Sequence, residues 1–372
     1  MEFIDLKRQY EVIRDKIDDG INKVINNHSF IMGPEVFELE KKLADFVGRK
    51  YCLTCGSGTE ALQIPLMAYN LCKEDAVFVP SFTFFASAET INLVGATPVF
   101  VDVDDSYNIS IDSLEREINR VLEEGKLRPR GIISVDLFGR SANYDMIIPL
   151  AKKYGLFVLE DAAQGLGGSL HGKMNGSFGD VSATSFFPAK PLGCYGDGGA
   201  IFTDDVNLFN LMRSIRIHGM GTNRYDNVRI GINGRLDTIQ AAVLLAKLTI
   251  FRDELLAREK IAELYISELK GLLKLPRTDL EYFSAWAQFT VRANNEEERT
   301  RIIKGMKENE IPIMVYYPRP LHEQEVYKQL GYEKIYLPFC SQITKQVFSL
   351  PMHPYLTKDE VICICDTLKK FI

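Results

Sequence analysis

The chain reads as an α/β protein: a large domain built on a mostly parallel sheet, followed by a smaller α+β domain. Three observations predict this. Short β-rich runs alternate with helical stretches through the first half, as in a parallel sheet covered on both faces. The texture changes after about Thr238, where long helix replaces the alternation. The length, 372 residues, suggests about two domains on a scale of ~150 residues each. The expected division is 1–250 and 251–372.

The elements follow in order. Glu35 to Val47 places Val36, Leu39, Leu43 and Phe46 on one helical face, with Gly33-Pro34 before it; proline suits a first helical position. A helix is expected to begin near Thr59, with Pro65 limiting or kinking its first turns. Ala76–Val79, Pro98–Val103, Gly131–Val135 and Leu156–Leu159 read as buried strands, with helices at Ile111–Leu122 and Tyr144–Tyr154 between them. Val181–Phe187 and Gly199–Thr203 extend the same sheet. Helix is expected from Ile239 to Leu264, interrupted near Phe251-Arg252. Then come a strand, Trp286–Val291, a charged helix, Glu296–Lys307, a Pro-rich passage, Pro312–Pro320, and a closing helix, Lys358–Phe371.

Composition excludes several classes. Hydrophobic residues make up 46% and charged residues 25%, ordinary for a globular chain and unlike a disordered one. A formal charge of −6 gives no basic footprint for nucleic acid. No apolar run reaches the length of a membrane span, and the N-terminus lacks a secretory pattern. Seven cysteines, an odd number in a long chain, fit free thiols in a reducing cytoplasm.

Four stretches carry chemistry. Lys190 follows a buried strand amid Gly and Pro, in Ser185-Phe-Phe-Pro-Ala-Lys-Pro-Leu-Gly193. A lysine there can form a Schiff base when its surroundings favour the neutral amine; the ordinary reading is a solvated loop lysine. Asp161 and Gln164 end another strand, in Glu160-Asp-Ala-Ala-Gln164. A buried aspartate needs a partner, and a protonated pyridine nitrogen is one; capping the next helix is the other reading. Gly56-Ser-Gly-Thr59 leads into a helix whose free N–H groups and dipole attract anions, or is a plain capping loop. Phe84, in Pro80-Ser-Phe-Thr-Phe-Phe85, is placed to stack on a flat ligand or to fill core.

In this order, with Gly196-Asp-Gly-Gly199, Asn233-Gly-Arg-Leu-Asp237 and Gln240-Ala-Ala242, the motifs resemble the DegT/StrS family of nucleotide-sugar aminotransferases. The resemblance runs from Phe3-Ile-Asp-Leu6 to Leu350-Pro-Met-His-Pro354, nearly the whole chain. It implies a fold-type I enzyme dependent on pyridoxal 5′-phosphate, dimeric, with sites at the subunit interface. By matching position, it implies Lys190 as the Schiff-base lysine and Asp161 as partner of the ring nitrogen. It implies Gln164 at the ring hydroxyl, Phe84 on the ring face, and Ser185, Gly58 and Thr59 around the phosphate. Asn233 would reach that phosphate from the partner subunit, and Arg235 and Tyr317 would reach the substrate side from the partner. L-Glutamate is the implied amino donor.

Within the family, Ser185 to Thr203, Arg235-Leu-Asp-Thr238 and Ser349 to Leu356 are nearest to a subgroup that aminates the 3-keto group of UDP-N-acetyl-3-oxo-glucuronate for bacterial surface polysaccharide such as O-antigen. Arg235 suits the uronate carboxylate through a bidentate pair. The chain departs from that subgroup at Tyr316-Tyr317-Pro318, where His-Tyr-Pro is common. A dTDP- or UDP-linked 3- or 4-keto-6-deoxy sugar is the alternative acceptor. The family's dehydratase branch replaces the lysine with histidine, whereas Lys190 is present; a non-catalytic scaffold would not need Lys190, Asp161, Gln164 and Ser185 together.

Other patterns carry less. Gly167 to Lys173 nearly spells a P-loop, but Met174 stands where Ser or Thr is required, so a hairpin turn is expected. Cys52 and Cys55 lack a second ligand pair and read as buried thiols; Cys363 and Cys365 read as packing residues. Asp102-Val-Asp-Asp105 reads as a solvated turn, and Trp286 as small-domain core. No metal site is expected.

Overall fold

The computed structural model describes residues 1–223 and 225–372. Among these, a seven-stranded sheet has the order β1-β9-β8-β5-β4-β2-β3. Its strands are β1 (Tyr51–Cys55), β2 (Asp75–Pro80), β3 (Thr97–Val101), β4 (Arg128–Val135), β5 (Phe157–Asp161), β8 (Val181–Ser185) and β9 (Gly199–Thr203). Pairing is parallel from β3 through β2, β4 and β5 to β8; β9 runs antiparallel to both β8 and β1. The sheet is mostly parallel, as expected. The carboxyl ends of β2, β5 and β8 therefore share one edge, where open α/β sheets place ligands.

The helices α2 (Pro34–Val47), α3 (Gly58–Ala68), α4 (Ala86–Leu93), α5 (Ile111–Glu124), α6 (Tyr144–Tyr154), α7 (Val206–Ile215) and α8 (Thr238–Leu248) cover the sheet, and α1 (Leu6–Asn27) lies outside α8. Strand alternation sends successive side chains to opposite layers. Val77 and Val79 join one core while Ala76 and Phe78 join another on the opposite face. Helix α5 is amphipathic in the same sense, burying Leu114, Ile118 and Val121. Pro65 stays inside α3 without ending it.

Helix α1 has no counterpart among the expected elements. Tyr10, Ile13, Ile17, Ile21 and Val24 recur at helical spacing, and Ile13, Ile17 and Val24 are buried. The Asp5 carboxylate caps it through the Arg8 amide at 2.9 Å. Its apolar stripe packs with Val243 and Ala246 of α8.

A second core lies beyond residue 260. It gathers α9 (Phe251–Leu269), the paired strands β11 (Phe289–Arg292) and β12 (Val347–Leu350), α10 (Glu296–Glu308) and α13 (Lys358–Lys369). Helix α9 spans both cores: Phe251 and Leu255 belong to the large one, Ile261 and Tyr265 to the small one. Short segments α11 (Glu325–Tyr327) and α12 (Pro338–Ile343) lie between.

Several expectations are corrected. The break in the long helix falls at Thr249-Ile250, and the small-core strand begins at Phe289, three residues after Trp286. Trp286 is core, as expected, but has a positive φ of 46°. Asp102 is not in a solvated turn: it is buried and accepts the amides of Phe339 and Cys340 at 3.0 and 2.8 Å, capping α12. Cys365 packs, but Cys363 is exposed on the outer face of α13. Gly167 to Lys173 does form a hairpin: β6 (Ser169–Leu170) pairs with β7 (Lys173–Met174), and β10 (Tyr282–Phe283) adds to β6. Cys52 and Cys55 are buried free thiols.

Candidate active site

A cavity of about 430 Å³ opens at the carboxyl edge of the sheet. Its walls include Gly58, Thr59, Phe84, Asp161, Gln164, Ser185, Lys190 and Tyr317. Eight of the residues singled out by sequence thus meet in one place, from four loops and the Pro-rich passage.

Asp161 ends β5. Alternation puts its carboxylate into the cavity layer, while Glu160 points the other way and accepts the amides of Gly176 and Phe178. Asp161 is buried, with Ser87 Oγ donating at 2.8 Å and the Ala163 amide at 3.2 Å. Burial raises its pKa above the usual carboxylate range, and these two hydrogen bonds oppose the rise. The helix-capping expectation is corrected: turns rather than a helix follow β5, and Asp161 bonds the Ala163 amide there while lining the cavity. Ser87, on α4, is a partner that sequence reasoning missed; its only trace was the position three residues after Phe84.

Lys190 stands across the cavity on the turn after β8. Its backbone N–H donates to the Phe187 carbonyl at 2.8 Å. Burial lowers its pKa below the ordinary lysine value, while the Asp161 charge acts in the opposite sense. A lysine shifted this way has more neutral amine available as nucleophile and base.

Gln164 fixes the floor. Its Oε1 accepts the Phe138 amide at 2.7 Å and its Nε2 donates to the Tyr317 hydroxyl at 3.0 Å. The expectation that Tyr317 reaches over from a partner is therefore corrected: it lines the cavity of its own chain. The Pro-rich passage folds back across the sheet edge, where Tyr317 packs edge-on to Phe82 at 6.1 Å and near Phe84 at 6.3 Å. Phe84 is exposed, with its ring on the cavity wall.

At the third corner, Ser57 caps α3 by accepting the Glu60 amide at 3.1 Å. Gly58 opens the helix, where the first N–H groups have no helical acceptor. Ser185 packs so closely that a Cβ on Gly58 would lie 2.5 Å from the Ser185 Cβ. Only glycine permits that approach. Hydroxyl and helix start together form a cup for an anion.

Asn233 and Arg235 are elsewhere. Neither lines the cavity. The exposed Asn233 Oδ1 accepts Arg235 Nη2 at 2.7 Å, and Arg235 Nε is buried without a partner. Asp197 and Gln288 line the cavity without having been singled out. Among the described residues no cluster of His, Cys, Asp and Glu is arranged to hold a metal, and no helix is long and apolar enough to cross a membrane.

Comparison with known proteins gives a consistent result. The model of the DegT/DnrJ/EryC1/StrS aminotransferase family matches residues 11–369. The UDP-2-acetamido-2-deoxy-3-oxo-D-glucuronate aminotransferase of Pseudomonas aeruginosa is 46% identical over 370 residues, covering 99% of each chain. The crystal structure of a DegT DnrJ EryC1 StrS aminotransferase from Brucella abortus superposes with a TM-score of 0.96 at 48% identity, covering 100% of this chain and 99% of that one. NtdA from Bacillus subtilis, solved with bound cofactor PMP, superposes with a TM-score of 0.88 at 26% identity, covering 99% of this chain and 83% of that one.

Proposed function

This chain belongs to the DegT/DnrJ/EryC1/StrS aminotransferase family and is a pyridoxal-phosphate-dependent transaminase; from that premise we propose that it moves the amino group of L-glutamate to the 3-keto group of UDP-N-acetyl-3-oxo-glucuronate. The observation that carries the acceptor is the 46% identity, end to end, with an enzyme named for that substrate. The product suits bacterial surface polysaccharide, O-antigen included. A dTDP- or UDP-linked 3- or 4-keto-6-deoxy sugar is the second reading, favoured by the 35% identity with a dTDP-3-amino-3,6-dideoxy-alpha-D-galactopyranose transaminase and by Tyr316 in place of histidine.

The residues present fit the cofactor. Glycine at 58 lets the start of α3 approach Ser185 closely, so helix N–H groups and a hydroxyl stand side by side on the cavity wall, as a phosphate requires. Buried Asp161 accepts hydrogen bonds only from the neutral Ser87 and Ala163 donors, leaving it suited to a protonated ring nitrogen. In this reading Ser185, Gly58 and Thr59 hold the phosphate, Asp161 the ring nitrogen, Gln164 the ring hydroxyl, and Phe84 covers the ring. When bound, the cofactor supplies the electron sink for charge left at the donor's α-carbon. Lys190 would hold the cofactor through its amine, and its lowered pKa suits that amine to accept and return the proton of the donor's α-carbon. Asp161 would pair with the protonated ring nitrogen, and the Gln164–Tyr317 bond holds the floor in register.

Residues 1–250 form the cofactor-binding unit in this reading and 251–372 the small one. The enzyme works as a cytoplasmic homodimer, with Asn233 reaching the phosphate and Arg235 the sugar of the partner's site. Lys190 is the one basic residue lining the described cavity, so an anionic sugar requires counter-charge from outside it. The test is a pair of half-reactions. The enzyme is converted to its pyridoxamine form with L-glutamate, freed of donor, and offered keto sugars while the absorbance of the pyridoxal form is followed. Return with the UDP-linked 3-keto uronate alone supports the assignment. Return only with a 4-keto-6-deoxy sugar, or with a 3-keto sugar lacking the carboxylate, refutes it and leaves the family intact.

A further inference from the structure

Gln288 stands where the small unit meets the catalytic cavity. It is 8% exposed, and its Oε1 is buried with no hydrogen-bond partner. The residue lines two cavities at once: the 430 Å³ cavity of Lys190, and an adjoining one of about 20 Å³ edged by Arg140, Trp286 and Thr290. The smaller space holds no more than one water.

Its backbone is fixed. The Gln288 N–H donates to the Phe138 carbonyl at 3.4 Å, and the Phe138 N–H donates to Gln164 Oε1. The next residue, Phe289, is fully buried in the small core. Gln288 thus sits in the wall between the two cavities, on the frame that sets the cofactor floor.

An unpaired buried carbonyl oxygen costs free energy until a donor reaches it. The two substrates differ in what they bring. An amino acid carries a single N–H-bearing group, its amino nitrogen, and that nitrogen is the one transferred. Its carboxylates only accept. A keto sugar carries hydroxyls and, in the proposed acceptor, an acetamido N–H.

We propose that Gln288 is a specificity residue for the acceptor: its carboxamide oxygen takes a hydrogen bond from a hydroxyl or acetamido N–H of the keto sugar. It acts in the second half-reaction and leaves the first alone. This inference rests on the sugar-aminotransferase reading above.

The test compares wild-type holoenzyme with Gln288→Met, which keeps the length and loses the acceptor, and with Gln288→Leu. Calorimetry measures binding of UDP-N-acetylglucosaminuronate, an unreactive analogue, and stopped-flow absorbance follows each half-reaction separately. The expected result is a loss of about tenfold in sugar affinity, the scale of one neutral hydrogen bond, with the same loss in kcat/KM for the keto sugar. Cofactor absorbance and the rate constant with L-glutamate stay as in wild type, which also shows that the variants fold. Unchanged sugar affinity in both variants overturns the proposal and assigns the oxygen to a water in the small cavity. Equal loss in both half-reactions also overturns it, because that is the mark of a structural role. A wild-type enzyme that binds no uronate but aminates another keto sugar counts against the acceptor assignment instead, and the same comparison on that sugar then decides Gln288.

Discussion

Two regions expected to serve one reaction are built in opposite ways. Around Lys190 and Asp161, groups from β5, β8, α3 and α4 converge within one chain, and Ser87, Gln164 and Tyr317 are tied by hydrogen bonds. The Asn233–Arg235 stretch turns away from that cavity, with Asn233 exposed and Arg235 bonded to it. The contrast teaches a division of labour. The residues proposed for proton transfer, Lys190 and Asp161, meet in one chain's cavity, where position must be held tightly. Arg235, the basic group proposed for the anionic substrate, lies on a loop outside that cavity and is bonded to Asn233.

The sharpest way to break this comparison is at Lys190. Lys190→Ala should reduce turnover by at least about 10⁴-fold, measured in steady state with L-glutamate and keto sugar. Retained turnover would remove Lys190 from the mechanism. Asp161→Asn should follow, with a fall of roughly 10²–10³ in kcat and the cofactor still bound.

The next test sharpens the other side. Arg235→Ala should raise KM for the uronate by about ten- to a hundredfold, the range for a hydrogen bond to a charged group, while absorbance of the bound cofactor stays unchanged. If Arg235 acts across a dimer, co-expressing Lys190→Ala with Arg235→Ala chains should regain about a quarter of wild-type activity, since randomly paired dimers then contain one intact site in four. No regain would place Arg235 at its own chain's cavity. Gly58→Ala should weaken cofactor binding about tenfold by pushing Ser185 aside, read by titrating the apoenzyme.

The smallest effect concerns the small-unit frame. His353 is buried with Nδ1 unpartnered. Burial, helped by Arg258, depresses its pKa from 6.5 to about 4. Between these values the unfolded chain binds a proton that the folded chain refuses, so stability is full above about pH 6.5 and declines toward pH 4. The thermal midpoint of His353→Gln should therefore fall less than that of wild type on going from pH 7 to 4.5.

Legibility in sequence followed chemistry more than location. Lys190, Asp161, Gln164, Ser185, Gly58 and Phe84 lie in short motifs directly after strands, so residue type and local pattern pointed to them. Ser87 and Gln288 carried no such mark, because their place depends on which loops the sheet order brings together. Tyr317 was legible as a site residue but not as to which chain's site it joins. Helix α1 shows its 3- and 4-residue spacing plainly, and was missed for lack of a neighbouring motif. Asp102 looked like a solvated turn because its partners, the amides of Phe339 and Cys340, lie more than 200 residues away in sequence.

By itself, then, the sequence determined the alternation of elements, the mostly parallel sheet and the residues able to do the chemistry, since periodicity and side-chain identity are local properties. Only the tertiary structure decided which of them meet. The strand order carries β5 beside β8, burial shifts Asp161 upward and Lys190 downward, and Arg235 is left outside the cavity. Proximity and dielectric environment arise from contacts distant in the chain, and those set what each group can do.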